Sequence, residues 1–278
     1  MTTITVLMDD SPGVPGTVSE HGLSFLVEHG GHSVLFDTGK TGAFLDNART
    51  LGLDPGAASA VVVSHSHYDH GGGLRRFYDE TGSRADLWTG PAFFHKKWSD
   101  EQPAARFLGI DVDAAFFKAI GVRHQELPEG SDQAADIAPG MRVICGFPRA
   151  HACERPNARF VVDRPEGRRP DDFRDEVCLS VATKEGPVLL VGCSHPGVMN
   201  MMDTAERVLG QALRAVLGGS HLVEAGPERL DETIEYLKDK RLAMAALGHC
   251  TGHLATAALS ERMPSFKPLY PGARFSLP

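Results

Sequence analysis

The 278-residue chain is 42% hydrophobic and 23% charged, the balance of a soluble globular protein with a sizeable core. Its formal charge of −8 argues against non-specific nucleic-acid binding, which needs clustered Lys and Arg; Lys96-Lys97 and Arg168-Arg169 are only pairs. Five cysteines (Cys145, Cys153, Cys178, Cys193 and Cys250) with no CxxC spacing suit a reducing compartment. No signal peptide and no apolar run of membrane-spanning length is evident, so the expectation is a cytoplasmic protein with no membrane association.

Thr3 to Met8 reads as an opening strand, followed by a loop with Pro12, Gly13, Pro15 and Gly16. Gly22 to Glu28 and Ser33 to Asp37 read as two strands joined in a hairpin by His29-Gly30-Gly31-His32. The second ends in Asp37-Thr38-Gly39. An acidic residue there is a common site residue in open α/β sheets, and equally a turn-former. Thr41 to Leu53 reads as a helix.

The β-branched run Val61-Val62-Val63 suits a buried strand. It stops at Ser64-His65-Ser66-His67-Tyr68-Asp69-His70, and three glycines follow before Leu74 to Tyr78 resumes in helical character. Alternate side chains of an extended segment share a face, so His65 and His67 point the same way. Asp69 and His70 come at the turn and address a second point. Imidazole nitrogen with carboxylate oxygen is a ligand set for zinc, manganese or iron.

Ala85 to Thr89 is a further short strand. From Ala92 to Ala119 the aromatics Phe93, Phe94, Trp98, Phe107, Phe116 and Phe117 read as core with a partial lid. Met141 to Cys145 is a strand and Asp163 to Asp175 a polar loop. Val177 to Ala182 and Val188 to Val191 form a second hairpin that runs into Gly192-Cys193-Ser194-His195-Pro196-Gly197. Val198 to Leu209 is a helix, and the strand Ala212 to Leu217 leads to Gly218-Gly219-Ser220-His221. Pro227 opens another helix, as proline does well at the first position. Leu242 to Leu247 is a buried strand ending in Gly248-His249-Cys250-Thr251, before a helix from Leu254 to Met263 and a closing strand near Ala273 to Leu277. No boundary divides the chain, so residues 1–278 are expected to form a single domain. Four separate strand ends carry histidine, and their convergence on one two-metal site is the better reading.

His65-Ser66-His67-Tyr68-Asp69-His70 resembles the HxHxDH signature of the metallo-β-lactamase superfamily, and the strand ending at Asp37-Thr38-Gly39 resembles that superfamily's first motif. Glu20-His21-Gly22-Leu23-Ser24, Gly192 to Asn200, Gly218 to Leu222 and His249 to Gly252 are similar to motifs of one branch. That branch includes the archaeal dihydropterin-ribofuranosylaminobenzene-phosphate synthases and many hydrolase-like proteins. The resemblance implies a four-layer αβ/βα sandwich, two mixed β-sheets flanked by helices, with two divalent metal ions at one edge. Zinc is the ion expected, manganese and iron being compatible with the same donors. By motif, His65, His67 and His195 would bind one ion and Asp69, His70 and His249 the other. Two departures stand out. The usual separate histidine motif has no clear counterpart, which makes His151 a rival to His195. The strand Val188 to Val191 ends in Gly-Cys-Ser-His where Gly-Asp is usual, so the bridging carboxylate is missing.

The function this implies is metal-dependent hydrolysis by a metal-bound hydroxide. Its substrate would be a small molecule bearing phosphate or carboxylate: a phosphoester, a lactone or a related ester. An activity like that of the synthase branch is included. Asp69 would bind metal and orient the nucleophile, and His221 would donate to the substrate or support a ligand from behind. Lys96 and Arg149 are candidate substrate-binding residues, with pocket walls from the loops 92–102 and 146–169. The competing readings are a non-haem di-iron redox protein and a non-catalytic, metal-dependent ligand-binding regulator on the same fold.

Overall fold

The long apolar runs form strands that are buried on both faces. The computed structural model describes residues 1–101 and 103–278. In the strand Ala60–Val62, Ala60 and Val62 face one apolar cluster, while Val61 and the following Val63 face another. Val188–Val191 divides in the same way, Val188 and Leu190 to one side and Leu189 and Val191 to the other. This period of two builds two seven-stranded mixed sheets packed face to face. Phe25 and Phe36 from one sheet meet Leu179 and Leu217 from the other between them.

Helices cover both outer faces. Phe44–Thr50, Leu74–Thr81 and Ala114–Ala119 lay Phe44, Phe77 and Phe117 on the first sheet. Val198–Leu209, Pro227–Asp239 and His253–Arg262 lay Met201, Ile234 and Leu259 on the second. The layers therefore run helix, sheet, sheet, helix, which is the αβ/βα sandwich expected.

Strand direction positions the site. In the first sheet His32–Phe36, Ala60–Val62, Asp86–Thr89 and His124–Glu126 run parallel. In the second, Val188–Val191, Ala215–Gly219, Met244–Gly248 and Phe266–Pro268 do the same. Parallel neighbours end at one edge, where open α/β sheets hold their ligands. The loops after Phe36, Val62, Val191, Gly219 and Gly248 gather there.

The segment 163–175 departs from the expected polar loop. Phe160–Arg164 and Gly167–Pro170 form a hairpin within a third, four-stranded sheet that also contains Lys97–Ser99 and Arg106–Phe107. All four residues of Gly167–Pro170 are exposed, so no apolar alternation marks them as a strand. Arg168 pairs with Asp163 at 3.1 Å and stacks over Trp98, which supplies the cohesion a core would otherwise give. The aromatics of 92–119 divide. Phe93 and Phe117 join the core, whereas Trp98 and Phe107 lie edge-on to each other, 5.1 Å apart, in this added sheet. Gln102, the last residue of the expected pocket-wall loop 92–102, lies outside the described residues.

Candidate metal centre

The strand Ala60–Val62 delivers the chain to an extended loop carrying His65 and His67, and the one-turn helix Tyr68–Gly71 turns Asp69 and His70 away from it. From the other sheet, Val188–Val191 leads to Cys193 and His195, and Met244–Gly248 leads to His249. His65, His67 and His195 each place a ring nitrogen within 4.8 Å of the other two, and all three are buried. Nε2 of His65, Nε2 of His67 and both nitrogens of His195 have no hydrogen-bond partner. An unsatisfied buried polar group costs about 1–3 kcal/mol, so this convergence is a liability unless an ion takes up the lone pairs. The donor set fits a metal cation. Phe173 stacks on His195 with centroids 3.9 Å apart and walls the group from behind.

Asp69, His70, Cys193 and His249 form a second buried group, also within 4.8 Å. Asp69 Oδ2 lies 3.3 Å from His249 Nε2 and 3.7 Å from His70 Nε2. Each imidazole is oriented from behind by a carboxylate. His70 Nδ1 lies 2.7 Å from Asp37 Oδ2, and His249 Nδ1 lies 2.6 Å from Asp10 Oδ1. A carboxylate accepts only, so the proton sits on Nδ1 in both rings and Nε2 faces the group.

Further buried carboxylates pin the loops. Asp37 accepts from Ser64 N at 2.7 Å and Ser64 Oγ at 2.8 Å. Asp175 accepts from Ser66 N at 2.9 Å and holds Lys97 Nζ at 2.6 Å. Glu176 accepts from Ser194 N at 2.6 Å and His195 N at 3.0 Å. Asp9 accepts from His249 N at 2.8 Å. Asp37, Ser194, His221 and His249 all adopt φ between 48° and 59°, a conformation disfavoured for residues with a Cβ. Four strand ends at this edge thus hold strained backbone, which persists only where surrounding bonds over-determine it.

Several expected residues lie elsewhere. His151 bonds Asp203 through Nε2 at 2.8 Å and stacks edge-on against Tyr236, so it takes no part in either group. Lys96 is exposed, and Arg149 is exposed with its guanidinium on Asp172 O at 2.8 Å. Neither lines the cleft of about 310 Å³ over the two groups; Arg106, Arg159 and Tyr68 do. Those two arginines sit in and beside the added sheet, which sequence pattern did not reveal. His221 does reach the cleft, 4.4 Å from the His195 ring between centroids, with its Nε2 3.6 Å from Glu224 Oε2. Asp10 and His21 were not singled out as site residues. His21 Nδ1 lies 2.7 Å from Asp10 and its Nε2 3.3 Å from Asp69. His21 lies within the branch-like stretch Glu20 to Ser24, and Asp10 directly follows the opening apolar strand.

Electrostatics divide the histidines. Burial, reinforced by the charges of neighbouring histidines and Lys97, pushes His65, His67 and His195 well below the ordinary value of 6.5. Burial also works against charge on His249 and His221. There the acidic partners prevail: Asp10 and Asp69 hold His249 well up, and Cys250 with Glu224 holds His221 up at about 9. Burial opposes ionisation of Asp69, but His70 and His249 outweigh it and hold the carboxyl well below its usual range. A pH prediction follows from the three lowered histidines. Below pH 6.5 the unfolded chain binds protons that the folded chain refuses, so stability falls as pH falls. In chelator, the three together are expected to make the chain progressively less stable as pH falls below that point. Urea midpoints at pH 6.5 and 5.0 measure the loss, and equal midpoints would refute it.

A helix-sheet-sheet-helix sandwich with an HxHxDH loop at its strand ends defines a class, and this chain belongs to the metallo-β-lactamase superfamily. Residues 19–146 match the family model described as metallo-beta-lactamase superfamily. Among solved structures, the chain is 30% identical to Tm1679, a metal-dependent hydrolase of the β-lactamase superfamily, with a TM-score of 0.84 over 100% of this chain and 99% of that one. It is 27% identical over 282 residues to the 7,8-dihydropterin-6-methyl-4-(beta-D-ribofuranosyl)-aminobenzene-5'-phosphate synthase of Methanocaldococcus jannaschii, covering 91% of this chain and 89% of the relative. Zinc-bound PqqB from Methylobacterium extorquens shares the fold, with a TM-score of 0.60 at 13% identity over 99% of this chain and 100% of that one. Members of the superfamily bind metal ions, and here the described residues bring His, Asp and Cys donors together in buried groups. No described helix is long and apolar enough to cross a membrane.

Proposed function

We propose that the protein is a metal-dependent hydrolase acting on a small, phosphate-bearing molecule in the cleft above the two donor groups. One observation carries the reading: the buried, partnerless imidazole nitrogens of His65, His67 and His195. His65, His67 and His195 would hold one divalent ion, and Asp69, His70 and His249 would contribute to holding a second, zinc being the ion that suits the donors. When bound, the ions lower the pKa of a coordinated water and neutralise charge developing on the substrate.

The remaining work belongs to the chain. Asp69, kept ionised by the imidazoles around it, accepts a hydrogen bond from the attacking water and orients it. His221, facing the cleft and held protonated beside Glu224, donates to the departing oxygen. Arg106 supplies positive charge at the cleft of an otherwise acidic protein, where a phosphate would be drawn, while Arg159 beside it is paired with Glu224 and Glu101. Phe160 and Leu108 give the cleft an apolar wall.

A second reading has support of its own. The Methanocaldococcus jannaschii relative is named a synthase, which favours transfer to an acceptor other than water. Screening metal-quantified protein against phosphomonoesters, phosphodiesters, lactones and thioesters tests the hydrolase. Solvent oxygen appearing in the product marks hydrolysis, and its absence marks transfer. Two zinc or manganese ions per chain fit this chemistry, coloured iron would favour a redox protein, and a metal-free chain a regulator. His195→Ala is expected to lower bound zinc by one equivalent per chain, whereas His151→Ala leaves it unchanged. Metal analysis after dialysis reads both, and the reverse pattern would exchange their roles.

A further inference from the structure

Lys97 carries a charge into the interior. It lies on the strand Lys97–Ser99 of the added sheet and is 2% exposed, whereas its neighbour Lys96 is exposed. Its Nζ lies 2.8 Å from Asp171 Oδ2 and 2.6 Å from Asp175 Oδ1, and both acids are buried with it. The chemistry assigned above makes no use of this triad.

The second oxygen of each carboxylate meets a main-chain N–H. Asp171 Oδ1 accepts from Phe173 N at 2.8 Å. Asp175 Oδ2 accepts from Ser66 N at 2.9 Å and from Ser66 Oγ at 3.1 Å. Ser66 separates His65 from His67 along the chain, and the Phe173 ring stacks on His195 with centroids 3.9 Å apart. That ring also lies 4.6 Å from the Lys97 ammonium, within the range of a cation–π contact. Phe173 adopts φ 50°, a conformation that persists only where neighbouring bonds hold it. One ammonium therefore reaches the three-histidine group by two routes. The first passes through Asp175 to the backbone between His65 and His67, the second through Asp171 and Phe173 to His195.

A buried ammonium between two carboxylates is a poor source of stability. Desolvation offsets the attraction, and an apolar set of similar volume is often as stable or more so. What the triad fixes is geometry, and a metal group needs its donors held to within about 0.5 Å by the side chains behind them. We infer that Lys97 is a positioning residue for the group of His65, His67 and His195, acting through Asp171, Asp175 and Phe173 without touching ion or substrate. The neighbouring group has braces of its own, Asp37 behind His70 and Asp10 behind His249, and so does not depend on Lys97. The added sheet thereby does more than wall the cleft: one of its strands sets the imidazoles.

The inference rests on the metal-dependent reading proposed above. Zinc affinity of the full-length protein, measured by chelator competition, is read beside the urea midpoint of the zinc-free form. Lys97→Met is expected to weaken one zinc equivalent about 10–100-fold and to leave the other unchanged. The weakened equivalent is the one that His195→Ala removes, so in a His195→Ala background Lys97→Met should leave the remaining affinity as it was. Because Lys97→Met alone strands two buried carboxylates, a second variant, Lys97→Met/Asp171→Asn/Asp175→Asn, removes all three charges and keeps their shapes. It should unfold near the wild-type midpoint and still show the selective loss of zinc. Phe173→Leu, which breaks only the route to His195, should show that loss too. A folded variant that keeps both affinities or loses both alike overturns the inference, as does a lowered urea midpoint with zinc affinity intact. Wild-type protein that binds no zinc overturns the metal reading itself.

Discussion

Asp69→Asn is expected to lower kcat/KM by about 10²–10⁴-fold while leaving the far-ultraviolet circular dichroism unchanged. Asp69 is the one carboxylate in its donor group, and the amide keeps its shape while removing its charge. The amide nitrogen would also present hydrogens toward His249 Nε2, at the 3.3 Å position where an acceptor now sits. The fold should survive because the backbone contribution of this residue is independent of its side chain. Asp69 O accepts from Leu23 N at 3.2 Å whichever residue is present. Steady-state kinetics on the metal-quantified variant decide the matter. Full retained activity would remove Asp69 from the mechanism.

Asp37→Ala should act on stability first. The side chain is fully buried and satisfies three donors: Ser64 N, Ser64 Oγ and His70 Nδ1. Removing it orphans Ser64 N and leaves Ser64 Oγ and His70 Nδ1 only the longer contact with each other at 3.3 Å and that of Ser64 Oγ with His65 Nδ1 at 3.1 Å, and the expected loss is about 3–5 kcal/mol. Alanine also inherits φ 59° without a side-chain acceptor to justify it. The site suffers separately, because His70 loses the bond that fixes its ring. Metal affinity is expected to fall about 10–100-fold, the usual cost of removing such a partner. Urea unfolding measures the first effect and competition with a zinc chelator the second. A loss below about 1 kcal/mol would show that water replaces the carboxylate.

Much of this architecture was legible in the chain. Runs such as Val61-Val62-Val63 and Val188 to Val191 announce strands because both faces are buried, and helices such as Val198–Leu209 follow directly from periodicity. The pairing of His65 with His67, apart from Asp69 and His70, followed from extended geometry at one pair and a turn at the other. The added sheet was illegible for the opposite reason. Gly167–Pro170 is exposed along its length and held by charge pairs, so its sequence is that of a loop. Arg106 and Arg159 were lost with it. Asp37 and Glu176 could not be read as loop clamps, since their partners Ser64 and His195 are 27 and 19 residues away along the chain. Cys193 was noticed only as a missing aspartate. Its distance to His249, 56 residues on, exists only in the folded chain.

Each donor group draws on both sheets. His65, His67, Asp69 and His70 follow a strand of the first, while Cys193, His195 and His249 follow strands of the second. In the proposed loaded state the two ions would therefore be rivets across a seam that is otherwise closed by apolar contact along its interior. Neither ion could stay if the halves parted, so unfolding must release both. Thermal resistance then becomes a function of free metal, with about 4 kcal/mol gained at a thousandfold excess over the dissociation constant. Starving the protein of metal would loosen the seam first, while each sheet kept its own ladder of backbone bonds.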